Sequence, residues 1–244
     1  MCGRFVLTTP ADALAAEFAA DAGGLVLHPH YNIAPTQEVV VVRVEEGRRR
    51  LALLRWGLIP FWAKDPAIAN KLINARSETA CDKPSYRDAM KKRRAVLPAS
   101  GFYEWKKEGT RKQPWYFRSK DPHASLAIAA LWESWRSPEG EIVETCCLLT
   151  TAANPLLARV HDRMPLLLDR SGIDRWLDAG QTDGHAFDDL LLPSVAELDA
   201  WPVSSDVNSV RNDHARNIEP VGETDAARVP AARGRGSSQG TLPF

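Results

Sequence analysis

Short apolar runs broken by glycine, proline and charged turns dominate the middle of the chain. EVVVVRV (38–44) and RRLALLRWG (49–57) stand on either side of the turn signal EEGR, which predicts a β-hairpin. RRAVLPA, GFYEW, QPWYFRS, SLAIAALW and EIVETCCLLTT continue the same texture through residue 151 and predict further strands. Helical spacing is confined to the margins. TPADALAAEFAA predicts a short helix with Thr9 as N-cap and Pro10 at the first helical position. NPLLARVH predicts one or two helical turns, SGIDRWLDAG and HAFDDLLLP short surface helices, and LDAWPVS a return to strand. Consecutive antiparallel hairpins with helices set to the side give an α+β class: a mainly antiparallel, curled or barrel-like β-sheet with short peripheral helices. No internal repeat is present.

With 244 residues, 44% of them hydrophobic, the chain can bury a sizeable core. From about residue 222 the texture becomes GETDAARVPAARGRGSSQG, nearly devoid of large apolar residues, and predicts a disordered tail over 222–244. The working domain is then 2–221, and a monomer is expected. No apolar run reaches the ~20 residues of a membrane span, and no signal-peptide pattern opens the chain, so a cytoplasmic location is expected. Lys plus Arg equals Asp plus Glu at 31 each, which excludes a global basic field. Any anion binding must be local, with candidates at Arg48–Arg50, KKRR (91–94) and KKEGTRK (106–112), two of which flank turn signals. The cysteines Cys2, Cys81, Cys146 and Cys147 show neither CxxC spacing nor a nearby His pair, so neither a zinc site nor a disulfide framework is indicated, and no cofactor is expected. Cys146 and Cys147 read as strand packing.

The candidate chemistry begins at MCGRF. Removal of Met1 would leave Cys2 with an α-amine and a thiol on adjacent carbons. Their unperturbed pKa values, about 7.7–8.0 and about 8.5, make both nucleophilic near neutrality. Such a pair traps an aldehyde: the amine forms an imine and the thiol closes a five-membered thiazolidine. The competing reading of Cys2 is inert core packing. Glu104 lies between aromatics in GFYEW, where desolvation would raise its pKa and suit a general acid or base; otherwise it is an outward strand residue opposite a lysine such as Lys106. His161, in RVHDRMP, is either a cleft histidine or a satisfied surface one. Asn74, in KLINARSET, offers an amide to orient an amine or hydroxyl, or simply turns the chain. Arg4 and Arg76 are candidate phosphate clamps. Pro35 and Trp62 are rigid groups able to stack on or wedge apart nucleic-acid bases.

MCGRF, YNIAPT, RWGLIPFW, INARSET, GFYEW, HDRMP and WPVSSDVNSVRND, in that order, resemble the SOS response-associated peptidase (SRAP) family of abasic-site processing proteins. The resemblance spans the whole domain and leaves out only the tail. It implies a sensor of abasic sites in single-stranded DNA, where the lost base leaves a sugar in equilibrium with a ring-opened aldehyde. Cys2 would form a covalent thiazolidine crosslink that protects the lesion during the DNA damage response. Glu104 matches the family's acid–base residue, which also permits some strand cleavage. His161 matches the histidine that helps open the sugar and reverse the crosslink, and Asn74 the amide that orients the N-terminus. Arg4 and Arg76 would hold phosphates, Pro35 and Trp62 would favour single strands, and the basic end of CDKPSYRDAMKKRR would add backbone contacts. The family name further implies a thiol peptidase activity of Cys2, Glu104 and His161; with only Met1 ahead of Cys2, no propeptide for autocatalytic removal is expected.

Two rival classes begin from the same residues. MCG also opens N-terminal-nucleophile glutamine amidohydrolases, although their other signatures do not occur here. A non-covalent reader of modified DNA is the other, and loss of Cys2 would leave its binding intact. The terminal QGTLPF resembles the QxxLxF pattern that docks repair proteins on the replication sliding clamp, with Gln239 at the rim and Leu242 and Phe244 in an apolar pocket.

Overall fold

The hairpin expected at EEGR is present in a computed structural model of the chain, which describes residues 2–194 and 196–222. Glu46 and Gly47, with φ of 49° and 76°, make its two-residue turn, and the left-handed conformation at both matches the twist of the flanking strands. In chain order the elements are β1 (Phe5–Leu7), α1 (Ala11–Phe18), β2 (His30–Ile33), β3 (Glu38–Glu45), β4 (Arg48–Trp56), β5 (Asn74–Arg76), α2 (Ser77–Ala80), α3 (Arg87–Lys92), β6 (Arg94–Ala99), β7 (Gly101–Glu108), β8 (Arg111–Ser119), β9 (Leu126–Arg136), β10 (Ile142–Ala152), β11 (Arg163–Pro165), β12 (Leu167–Leu168), α4 (Arg170–Trp176) and β13 (Leu198–Pro202). The α+β class holds.

One sheet runs β13-β8-β7-β1-β2, antiparallel throughout. The other closes on itself. β10 pairs with both β4 and β9, so it joins the ends of the path β4-β3-β6-β9 into a barrel-like ring. The closure explains why VVVV does not alternate: Val39, Val40, Val41 and Val42 are all buried, as expected of strands covered on both faces. Cys146 and Cys147 are fully buried in β10, in keeping with strand packing.

The structure corrects several local expectations. β10 runs parallel to β4 and to β5, so the ring is not built from antiparallel hairpins alone. The N-cap of α1 is Pro10, with no side-chain cap, and the Thr9 hydroxyl instead faces Ser100 at 3.5 Å. HAFDDLLLP yields only a 3₁₀ turn, at Gly184–Phe187, whereas the short helical turn expected in NPLLARVH is present as 3₁₀ at Leu157–Arg159. The KKRR run is only partly a basic surface, because Arg94 is buried and Arg93 pairs with the buried Glu133 at 2.6 Å. Gly101 is required at the start of β7, where it lies against β8: a Cβ there would lie 2.4 Å from the Tyr116 ring and 2.5 Å from the Phe117 carbonyl oxygen. No helix among the described residues is long and apolar enough to cross a membrane. Residues 223–244, which carry Gln239, Leu242 and Phe244 and nearly all of the expected tail, lie outside the described residues.

Candidate active site

Three segments far apart in sequence bring the candidate residues together. The first is the N-terminus. β1 pairs with β7 through Phe5↔Phe102, and the Tyr103 N–H donates to the Arg4 carbonyl at 3.0 Å, so the antiparallel register continues toward Glu104 and lays Cys2–Arg4 along β7. Cys2 is fully buried, with its thiol 3.9 Å from the Arg4 carbonyl oxygen. The second is β5, where Asn74 and Arg76 share one face and Ala75 is buried on the other. The Asn74 side-chain amide donates to the Cys2 carbonyl at 2.7 Å, and the buried Tyr86 hydroxyl donates to the Asn74 backbone carbonyl at 3.2 Å. Asn74 Oδ1 is buried with no hydrogen-bond partner among the described residues, which leaves an acceptor beside the N-terminal segment. The third is the 3₁₀ turn before His161.

A cavity of about 430 Å³ is lined by Arg4, Glu104, Trp105, Lys112, His161 and Asn208. Glu104 is buried and lies opposite Trp115, while Lys106 pairs with Glu108 at 3.1 Å; the reading of Glu104 as an outward residue paired with Lys106 is therefore overturned. Burial raises the Glu104 carboxyl to about 7, with the positive chain terminus pulling the other way. The Cys2 thiol is pushed far up, first by burial and then by the charge of Glu104, so at neutral pH it rests as the thiol. Burial also lowers His161, making it neutral at pH 7. Its Nδ1 lies 3.0 Å from the Arg163 backbone nitrogen, which donates to it, and 3.0 Å from Asp162 Oδ1, which would accept from a proton on that nitrogen.

The supporting bonds explain why these positions are held. Arg163, two residues past His161, forks onto Glu78 at 2.5 and 2.9 Å, and Glu78 lies two residues past Arg76. One ion pair thus straps the His161 loop to the β5–α2 segment. Arg4 donates to Asn32 Oδ1 at 2.7 Å, the Val207 carbonyl at 2.6 Å and the Asn208 carbonyl at 3.4 Å. The WPVSSDVNSVRND segment is drawn in by these bonds, by Asn32 and by Trp105, whose indole N–H donates to Asn208 Oδ1 at 2.7 Å. Arg4 lines the cavity with much of its hydrogen-bonding capacity committed inside the protein.

Cys2, Asn74, Arg76, Pro35 and Trp62 are not among the residues that line this cavity; Cys2 is tied to it through its neighbours Arg4 and Glu104, and Asn74 through Cys2. Arg76 is exposed at the end of β5; Pro35 occupies the turn after β2; Trp62 is 47% exposed beside Phe61, its indole N–H 3.3 Å from the Pro84 carbonyl. Trp105 and Asn208 went unselected in the sequence, and Lys112 entered only as the end of the basic run KKEGTRK. Lys112 sits in a basic hairpin end that resembles any solvated turn, and only the β7–β8 pairing turns it toward Glu104 and His161.

The family model for SOS response associated peptidase (SRAP) matches residues 1–210. The chain is 40% identical over 223 residues to abasic site processing protein YoqW of Bacillus subtilis (strain 168), spanning 90% of this chain and 99% of that protein. It is 31% identical over 228 residues to abasic site processing protein YedK of Escherichia coli (strain K12), spanning 91% of this chain and all of that protein. Among solved structures, a protein from Bacteroides thetaiotaomicron superposes with a TM-score of 0.81 at 24% identity over 90% of this chain and all of the other, a likeness of fold. A Bordetella bronchiseptica protein gives 0.71 at 28% identity over 83% of this chain and all of the other.

Proposed function

The chain belongs to the SOS response associated peptidase (SRAP) family, and from that premise we propose that it processes abasic sites in single-stranded DNA by covalent capture on Cys2. The observation that carries this reading is the convergence of Asn74 on Cys2, with Glu104 and His161 on one cavity beside them. After loss of Met1, the Cys2 amine attacks the ring-opened sugar aldehyde, and water leaves as the imine forms. The thiol S–H then adds across the C=N bond: sulfur bonds to carbon and the proton goes to nitrogen. A thiol held protonated by burial favours this order, with the amine first. Asn74 Oδ1 would accept from the amine and aim it.

Glu104 would deliver the proton that expels water and take one back from the thiol, a double use that suits a carboxyl near pH 7. From the imine the same group would permit strand cleavage. Neutral His161 would donate its ring N–H to the sugar ring oxygen during opening and reversal. Arg4 and Arg76 would hold flanking phosphates, and Pro35 and Trp62 would exclude paired strands. A thiol peptidase reaction would draw on Cys2, Glu104 and His161, and the protein would work in the cytoplasm at the nucleoid, as a monomer over residues 2–221. With no net charge, non-covalent binding would be modest and salt-sensitive, and the covalent bond would supply lasting affinity.

The deciding experiment mixes Met1-processed protein with an oligonucleotide bearing one abasic site and reads a denaturing gel and intact mass. A heat-resistant adduct at the mass of protein plus DNA minus one water supports the reading; its absence removes it, and glutamine hydrolysis becomes the next assay. The pH profile tests Glu104 separately. As a proton donor it acts below about pH 7, so adduct formation should slow as pH rises through that value, against the gain from amine deprotonation. Glu104→Gln should remove this alkaline limb and slow single-turnover capture by roughly 10²–10³-fold. An unchanged profile shape in Glu104→Gln would assign the proton transfer elsewhere.

Gln239, Leu242 and Phe244 in QGTLPF are proposed to bring the protein to the replication sliding clamp. A synthetic C-terminal peptide should bind purified clamp at micromolar concentration, and lose binding when Leu242→Ala and Phe244→Ala are combined. No binding at high micromolar concentration would remove the assignment.

A further inference from the structure

Away from the cavity, Cys81, His185 and Asp188 each offer one ligand atom, and the three atoms lie within 4.8 Å of one another. The fold sets this up in a definite way. Cys81 follows α2, and its sulfur lies against Gly184, where an added Cβ would be only 3.2 Å away. The 3₁₀ turn Gly184–Phe187 is capped by Asp183, whose carboxylate accepts from the His185 N–H at 3.0 Å. Residues three apart eclipse across such a turn, and His185 Nδ1 stands 3.5 Å from Asp188 Oδ1. Phe187 anchors the turn from beneath, edge-on to the Trp176 ring at 5.2 Å. A rigid turn therefore presents an imidazole and a carboxylate to a thiol that arrives from another element.

We propose that Cys81, His185 and Asp188 form a binding site for a borderline-soft divalent cation of the zinc class, with water as fourth ligand. The donor set is one sulfur, one nitrogen and one oxygen, the mixture such ions take in tetrahedral sites. Zinc bond lengths of ~2.3 Å to sulfur and ~2.0–2.1 Å to nitrogen and oxygen imply ligand separations of about 3.3–3.6 Å. The His185–Asp188 separation already meets this. The His185 and Asp188 side chains are about two-thirds exposed, free to turn the remaining distance toward the half-buried sulfur. On binding, the metal–sulfur bond replaces the S–H bond and the proton passes to solvent. Motif reading missed the site because its ligands stand at 81, 185 and 188, with no CxxC or paired His. Its position after α2 would fasten the segment that carries Asn74 and Arg76 to the 184–188 turn. The proposal does not depend on the abasic-site reading.

Cobalt(II) makes the site visible. The full chain would carry Cys2→Ala, because an N-terminal aminothiol chelates metals by itself; Cys146 and Cys147 are fully buried. Titration with Co²⁺ should give a thiolate-to-cobalt charge-transfer band and strong tetrahedral d–d bands that saturate at one equivalent and are displaced by Zn²⁺. Cys81→Ser should abolish the charge-transfer band, and His185→Ala and Asp188→Asn should each weaken binding at least tenfold. His185 and Asp188 are exposed and Cys81 is half-buried, and circular dichroism would confirm that each variant is folded. No charge-transfer band in the parent protein, or one that survives in folded Cys81→Ser, overturns the proposal. So does full-strength binding by both folded His185→Ala and Asp188→Asn.

Discussion

Cys2→Ala protein lacking Met1 is expected to lose stable adduct formation with abasic-site DNA by roughly 10³-fold or more, the scale set by removing an enzyme's nucleophile. The variant separates the two functional groups of residue 2. The alanine keeps an α-amine in the same place, carried by the backbone whose carbonyl accepts from Asn74 at 2.7 Å. An imine can still form, and borohydride should trap it as a secondary amine. Without a thiol no thiazolidine closes, so the adduct in the absence of borohydride should disappear on heating. A Cys2→Ala protein that formed a heat-stable adduct at the parent rate without reductant would remove the thiol from the reaction. Loss of both adducts would point to disturbed geometry, which the modest cost of a small core truncation, about 1–2 kcal/mol, makes the less expected result.

The largest stability effect is expected at Arg94. This buried guanidinium donates to the carbonyls of Met90 (2.6 Å), Lys91 (3.0 Å), Trp176 (2.7 Å), Asp178 (2.6 Å) and Gln181 (2.9 Å), with the Phe187 ring 4.5 Å away. Those carbonyls belong to the C-terminal ends of α3 and α4 and the chain just beyond α4, where helical hydrogen bonding runs out and the dipole is negative. Arg94→Ala takes the guanidinium donor from five carbonyls, of which Asp178 keeps the Gln181 N–H at 3.2 Å, and opens a cavity, so unfolding free energy should fall by about 3–5 kcal/mol. Equilibrium urea unfolding checks this through a lower midpoint at unchanged slope. Arg94→Lys should recover little, since one ammonium cannot reproduce the planar fork. A loss below about 1 kcal/mol in Arg94→Ala would mean that water replaces the guanidinium, and that the two helix ends do not depend on it.

Arg94 and Lys112 illustrate how charge patterning misleads when read along the chain. KKRR and KKEGTRK look alike as solvated basic runs, yet Arg94 is buried as a helix-end clamp and Lys112 lines the cavity with Glu104 and His161. Arg4 is a related case. Its guanidinium suits a phosphate, but in the fold it spends much of its capacity holding the 207–208 segment in place. Nothing local distinguishes these uses, because each depends on which carbonyls a distant segment delivers.

What the sequence determined by itself follows from short-range chemistry and from ordered motifs. Apolar runs with turn residues between them specified the hairpins, since strand periodicity and left-handed turn preferences act over a few residues. The α+β class and the packing of Cys146 and Cys147 were legible at that level, and the ordered motifs nominated Cys2, Asn74, Glu104 and His161 for the roles proposed above. The tertiary structure decided the rest. Ring closure through the parallel β4–β10 pair, the desolvation that holds Glu104 near pH 7 and keeps the Cys2 thiol protonated, and the meeting of Cys81 with His185 and Asp188 all join residues tens to more than a hundred positions apart. Burial and approach of that kind are properties of the packed sheet, because the dielectric around a group is set by everything folded against it and not by its neighbours in the chain.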